Sequence, residues 1–411
     1  MQNHLHNRIE GLDVLRGIFA FSIMFYHYFT WTHLPLYPFF YQYLHKIASL
    51  GVEGFFVLSG FVLFVTYKNV NFRSSKNILK FYAKRWLRIA PLFYLVFLLT
   101  YFSAGEPSQA LLGQQLASAI IIFIIIIFIS PYLLAHYVTG FKKFQNYSAY
   151  ILLLALFAFI TIGFFHSGNK LGFFTIITFT FGFINPASGG IGGSWSIGNE
   201  FVFYYFFPLM AIIARNFLGS FLLFLIASIL AIIYGIYCHP DTWNFPSQWA
   251  VYTKFYYHLV CFCMGLLLSR WLAWKEKIPR KYVLFSICIC ILLWFWLQSF
   301  ANPTYSFGRV LFLADLAIIV FLMSIFKINT AWLNRILLFM GDISYTVFLL
   351  AFPLKDIFGL FEFGITGILA NIATVIILST LVYYGFERIL IEFGRTKVFK
   401  LSNQKILSLT K

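Results

Sequence analysis

The chain has 411 residues, 61% hydrophobic and 22% aromatic, with only 10% charged and a formal net charge of +17. A soluble domain carries about 25% charged and about 45–50% apolar residues, so this excess of Phe, Ile and Leu excludes a single soluble core and belongs in lipid. The basic residues fall between apolar runs, where they read as cytoplasmic loop charge rather than as a nucleic-acid surface.

The N-terminal stretch MQNHLHNRIEG is polar, and no small-residue cleavage site follows the first apolar run. That run is expected to be a retained span, not a signal peptide. Runs of spanning length lie at 12–31, 49–66, 87–103, 111–134, 148–166, 196–214, 219–237, 254–273, 282–300, 307–326, 336–354 and 365–386, twelve in all. The fold class expected is all-α, a polytopic integral membrane protein. A further run, 172–185, is short and precedes the Gly-rich stretch NPASGGIGGSW. Charge decides its status. With a cytoplasmic N-terminus and 172–185 not crossing, only Lys46, Lys170, Lys254, Arg309 and Lys355 of the 30 basic residues lie on or near the outer side. A crossing would move the basic loop WKEKIPRK outside, against the positive-inside bias. A re-entrant or half-length helix on the outer side is therefore expected, with both termini cytoplasmic.

No sustained internal repeat is visible, and the chain reads as one membrane domain over 1–411. The tail 393–411 is basic and too short to fold alone. The external loops 32–48 and 238–253 are rich in Trp, Tyr, Pro and His and read as interfacial belts, with stacking on sugar rings as the alternative. Among the five cysteines, four form C-x-C pairs (Cys261 with Cys263, Cys288 with Cys290) inside apolar runs. Neighbours at i and i+2 on a helix do not face each other, so helix filling is expected of them and no metal.

Four segments carry chemistry. In LDVLRGIFAFSIMFYH, Asp13 precedes Arg16 by three residues, close enough to pair. His27 follows Arg16 by eleven residues, about 20° off three full turns with a rise of about 16 Å, so guanidinium and imidazole share one face at two depths. Ionisable groups within a membrane helix are costly and mark functional paths. In GVEGFFVLSGFVLF, Glu53 opens a run thinned by Gly51, Gly54, Ser59 and Gly60, where another helix or a substrate can approach. In KFYAKRWLRIAPLFYL, Lys84, Arg85 and Arg88 cluster at the membrane edge, as positive-inside anchors or as a phosphate site. In GGSWSIGNEFVFYYFFPL, glycines lead to Trp195 and then to Glu200, a carboxylate entering a long apolar run. Asp315, also mid-span, reads as a structural pairing group.

Together these segments, in the order LD-x-L-R…H, GVE-x-FFVLSGF, R-x-x-RI-x-P and G-x-W-S-x-x-x-E-x-x-x-Y-x-x-FP, with the later GDISYTVFLLAFP, resemble acyltransferase family 3. These are integral-membrane acyltransferases that modify cell-surface carbohydrates. The resemblance implies an acyl-CoA donor, usually acetyl-CoA, bound from the cytoplasm, and no permanently bound cofactor. It implies activity-linked roles for Arg16 and His27 and donor binding at Arg85 and Arg88. Glu53, Ser59, Trp195 and Glu200 match recurring positions. Catalytic roles are expected of His27, Arg16, Glu200 and Glu53, donor contacts of Arg85, Arg88, Lys84 and Ser59, and an acceptor contact of Trp195. Ala351 stands where many members have a His. The family core has ten spans, so a hairpin within 105–170 reads as an insertion. The chain resembles the stand-alone form, without an appended hydrolase-like domain.

The implied function is transfer of an acyl group to a hydroxyl of a cell-surface or lipid-linked carbohydrate at the inner (plasma) membrane, with His27 as general base. A secondary transporter or flippase for a glycolipid or sugar is the alternative that many spans and buried charges also suit. The topology has a direct check: a reporter fused after Pro279 is expected to read as cytoplasmic, and an external reading would refute it.

Overall fold

The computed structural model describes residues 9–31, 38–103, 141–237, 249, 251–272, 280–300, 307–358 and 364–394. Within them the chain is helical: α1 (Glu10–Trp31), α2 (Pro38–Tyr67), α3 (Ser75–Ser103), α4 (Phe141–His166), α5 (Lys170–Ile177), α6 (Phe181–Ile184), α7 (Ser194–Ile213), α8 (Phe217–Tyr237), α9 (Phe255–Leu268), α10 (Arg280–Phe300), α11 (Phe307–Ile325), α12 (Ala331–Phe358), α13 (Gly364–Val382) and α14 (Arg388–Phe393). A π-helical turn, Tyr383–Glu387, joins the last two. No strand occurs among the described residues. Among the described residues, six helices are long and apolar enough to cross a membrane. The run 111–134, the loop 273–279, the tail beyond 394 and Cys238 lie outside the described residues.

Helices prevail because lipid offers backbone groups no partner, so each segment must satisfy its own. The run 172–185 breaks into α5, of 8 residues, and α6, of 4. At about 1.5 Å per residue α5 spans about 12 Å, well short of a hydrocarbon core of about 30 Å. Asn169 starts α5 by accepting from Gly172 N at 2.8 Å. Phe179, at φ 55°, takes the left-handed region between the two pieces and breaks the run there. The half-length expectation is met by this geometry.

The first helix sits at the centre, packed against α12, α2 and α11. Small residues set its depth. A Cβ on Gly17 would lie 2.8 Å from Gly341 N, and one on Gly341 would lie 2.2 Å from Asp13 O. Likewise a Cβ on Gly60 would meet Phe262 O at 2.1 Å, and one on Gly265 would meet Val57 O at 2.0 Å, so α2 and α9 touch backbone to backbone. The thin face read in the second segment is thus a helix contact at Gly60, while Ser59 is left to face a cavity. By contrast only 17% of the apolar window Phe217–Tyr234 in α8 is buried, against 61% of Leu50–Tyr67 in α2. Its Leu and Ile side chains form an outer apolar face suited to lipid.

Candidate active site

Five helices meet around about 880 Å³ of space not filled by protein atoms. Arg16 enters from α1, Ser59 with Phe55 and Phe56 from α2, Arg85 and Arg88 from α3, Glu200 and Tyr204 from α7, and Ser344, Tyr345 and Phe348 from α12. Residues distant in the sequence, including Arg16, Ser59, Arg85, Arg88 and Glu200, therefore line one cavity, as a shared site requires.

The geometry of each group follows from its helix. Arg16 and Asp13 are three apart on α1, and Arg16 Nη1 donates to Asp13 Oδ1 at 3.0 Å. Glu200 follows the helix start at Ser194 by six residues and accepts from Ser59 Oγ at 3.0 Å. Tyr204, one turn further along α7, also donates to Glu200. Two hydroxyl donors to one carboxylate offset much of what its partial burial costs, since hydrogen bonds to charged groups contribute about 1.5–3 kcal/mol each. The Arg85 guanidinium lies 5.6 Å from the Tyr67 ring centre and 6.0 Å from that of Tyr204, and its Nη2 donates to Tyr67 Oη at 3.4 Å. Arg88, on the same helix, lies within electrostatic reach of Arg16, Arg85 and Glu200. Tyr345 completes the wall and donates to Ile89 O at 2.8 Å, tying α12 to α3.

A second carboxylate stands behind the arginines. Glu387 is 6% exposed and accepts from Thr346 Oγ1 at 2.7 Å. It interacts electrostatically with Arg88 and Arg16. Glu387 ends the π-helical turn, a local widening that shifts side chains off the regular α register. Its only sequence signal was an acid at the close of a long apolar run, which the motif reading passed over. Tyr204 stood in the fourth segment without a role assigned to it.

His27 lies apart from this cavity. Its ring stacks on Trp31 with centres 5.0 Å apart and packs against Phe352 at 4.8 Å. Arg16 lines the same cavity as Tyr345 and Phe348 of α12, and His27 packs on Phe352 one turn further along that helix. Trp31 and Phe352 also line a separate cavity with Thr100, Ile191, Gly192, Pro353 and Lys355. The glycines ahead of α7 make room for these rings: a Cβ on Gly192 would lie 2.1 Å from Phe352, and Gly193 has φ 76°. The backbone carbonyl of Ala351 accepts from Tyr28 Oη at 2.9 Å, which fastens α12 to α1 beside His27.

Glu53 and Trp195 belong to neither cavity lining. Glu53 is buried with a carboxylate oxygen 3.9 Å from His258 Nδ1. Trp195 packs edge-on against Phe56, Trp249 and Tyr252. Its neighbours Ser196 and Ile197 reach the main cavity instead. Lys84 does not line that cavity either. Asp315 of α11 is buried within electrostatic reach of Cys290 of α10.

What this arrangement can do chemically is hold an anion against guanidiniums inside an apolar shell and keep a carboxylate in reach of the same space. A family model described as an acyltransferase domain matches residues 9–386. No curated protein and no solved structure matches the chain.

The buried Thr346–Glu387 bond has a measurable worth. Thr346→Val removes the donor at nearly constant shape and is expected to lower stability by about 1.5–3 kcal/mol, read as a lower unfolding temperature in detergent. Thr346→Ser is expected to restore most of it.

Proposed function

The chain belongs to acyltransferase family 3 and is a membrane acyltransferase; from that premise we propose that it carries an acyl group, acetyl by default, from cytoplasmic acyl-CoA to a hydroxyl of a cell-surface or lipid-linked carbohydrate. The enzyme would lie in the inner membrane with both termini in the cytoplasm. The observation that carries this reading is the joint lining of one cavity by Arg16, Arg85, Arg88 and Glu200.

The donor's phosphates would dock on Arg85 and Arg88, where charge-assisted and bidentate bonds are strongest. Arg16 would steer the arm of the donor along α1. The thioester would then reach His27, about 16 Å further along the helix. An alcohol is a poor nucleophile until a base takes its proton. An imidazole with an unperturbed pKa near 6.5 suits that task at neutral pH. In the proposed step the acceptor hydroxyl gives its proton to His27 as its oxygen forms a bond to the thioester carbonyl carbon. The carbon–sulfur bond breaks, and the imidazolium returns the proton to the departing thiolate. A transient acyl-histidine is the covalent variant of the same chemistry.

The two glutamates separate in this scheme. Glu200 lies on the donor cavity and would contact donor or acceptor hydroxyls. Glu53 does not line that cavity and would act only by positioning α2. The cavity beside His27, with Trp31, Phe352 and Lys355, would admit the carbohydrate from the opposite side. Aromatic faces stack on sugar rings, and Thr100 offers a hydroxyl.

His27→Ala is expected to lower acyl transfer by about 10²–10⁴ with the unfolding temperature unchanged; equal turnover would remove His27 from the reaction. The donor site separates in the kinetics: Arg88→Ala is expected to raise KM for acyl-CoA. Mass spectrometry of surface glycans from cells with and without the protein is expected to show an acyl mass gained with it. Solute uptake by the purified protein in vesicles, without acyl chemistry, would favour transport instead.

A further inference from the structure

We propose that Glu53, His258 and Cys261 bind one divalent metal ion of zinc type, which clamps α2 to α9. A carboxylate oxygen, an imidazole nitrogen and the thiol Sγ of these residues all lie within 4.8 Å of one another. Nδ1 stands 3.9 Å from Glu53 Oε1. Glu53 is 2% exposed, and His258 and Cys261 are 0% exposed.

The imidazole is set up as a ligand. His258 Nε2 lies 2.7 Å from Tyr252 O. A carbonyl has no proton to give, so Nε2 carries the hydrogen and donates it. In the neutral ring the lone pair is then on Nδ1, the atom turned toward Glu53. Metal-binding histidines show this pattern, one nitrogen on the ion and the other donating to a carbonyl or carboxylate. His258 and Cys261 are three residues apart on α9, so their side chains share a face. Glu53 reaches that face from α2, where the glycine contact at Gly60 and Gly265 brings the helices together.

Geometry, charge and donor type agree. Zinc holds N, O and S ligands at about 2.0–2.3 Å in a tetrahedron, which places ligand atoms about 3.3–3.8 Å apart. Side-chain shifts of about 1 Å would close the cluster from its present spacing. Binding releases the thiol proton, so a dication meets one thiolate, one carboxylate and one neutral ring. The sum is zero, which suits a buried junction where unbalanced charge is costly. A mixed N, O and S set favours zinc over calcium or magnesium, which take oxygen ligands.

Such a site would be structural rather than catalytic. None of the three residues lines the donor cavity. The rings of Phe56, Trp195 and Tyr252 pack on His258 at 4.9, 5.3 and 4.9 Å and shield it. Phe56 also lines the cavity, so the clamp would stiffen that wall. Three protein ligands leave a fourth position for water, an open coordination unlike that of closed structural zinc sites, so the structural role rests on the separation from the cavity and not on ligand number. The inference is independent of the acyl acceptor and of the role of His27.

The test uses the full-length protein purified in detergent, stripped with chelator and titrated with Co²⁺ and then Zn²⁺. The expected result is a thiolate-to-cobalt charge-transfer band that zinc bleaches, together with a zinc-dependent rise in unfolding temperature. Cys261→Ser is expected to abolish the band, and Cys263→Ser to keep it. Should Cys261→Ser fail to fold, Glu53→Gln keeps the thiol and imidazole and is expected to weaken cobalt binding by at least the 10–100-fold typical of losing an outer-shell partner. The absence of a band in the wild-type protein would overturn the proposal in favour of a plain Glu53–His258 ion pair. So would a band that survives Cys261→Ser, or a cobalt affinity unchanged by Glu53→Gln.

Discussion

Holding half-buried guanidiniums inside a helical membrane protein is the constraint on which the rest of this structure depends. Arg16, Arg85 and Arg88 cannot be neutralised by losing a proton, so the protein must bring counter-charges and hydroxyls to them. It does so from separate helices: Asp13 beside Arg16 on α1, Glu200 from α7, and Glu387 from the end of the π-helical turn. Each carboxylate is in turn held, Glu200 by Ser59 and Tyr204, and Glu387 by Thr346. The network spans α1, α2, α3, α7, α12 and the turn after α13. A polar network of this kind is strong when satisfied and costly when one member is lost.

The same constraint explains the helix contacts. For charges on different helices to meet, the helices must approach closely, and in lipid close approach needs small residues rather than a hydrophobic drive. Gly17 against Gly341 draws α1 to α12, and Gly60 against Gly265 draws α2 to α9. The first contact sets Arg16 in the cavity that Tyr345 and Phe348 also line. The second leaves Ser59 free to face Glu200 while its neighbour Gly60 packs. Packing and polar chemistry are thus interleaved one residue apart along α2. Helices that carry no such charges, α8 above all, are left at the periphery with apolar faces turned outward.

The proposed transfer from an acyl-CoA donor would give these features a common purpose. A polyanionic donor needs fixed cations in a place water enters poorly, and an acceptor needs a base beyond them. The arginine cavity and the aromatic pocket beside His27 are consecutive along α1 and α12, with Phe348 on the wall of one and Phe352 on the wall of the other. The order of the chemistry would then follow the order of residues along a single helix.

The sequence by itself determined that this is a helical membrane protein, where its apolar runs lie, and that 172–185 is short. It also determined that Arg16 and His27 share a face, because the helical period fixes angles along one helix without reference to any other. Motif order pointed to the family, and with it to Ser59, Arg85, Arg88 and Glu200, which the fold gathers into one cavity. Only the tertiary structure decided which faces of different helices meet. It set Glu53 and Trp195 away from that cavity, placed His27 behind aromatic rings, and recruited Glu387 and His258, which carried no motif. Cys261 read as helix filler because its neighbour two residues on points elsewhere; its partners lie three residues back and on another helix. Period governs what one helix presents. Contact between helices depends on rotation, depth and glycine placement across the whole bundle, and no local pattern encodes those.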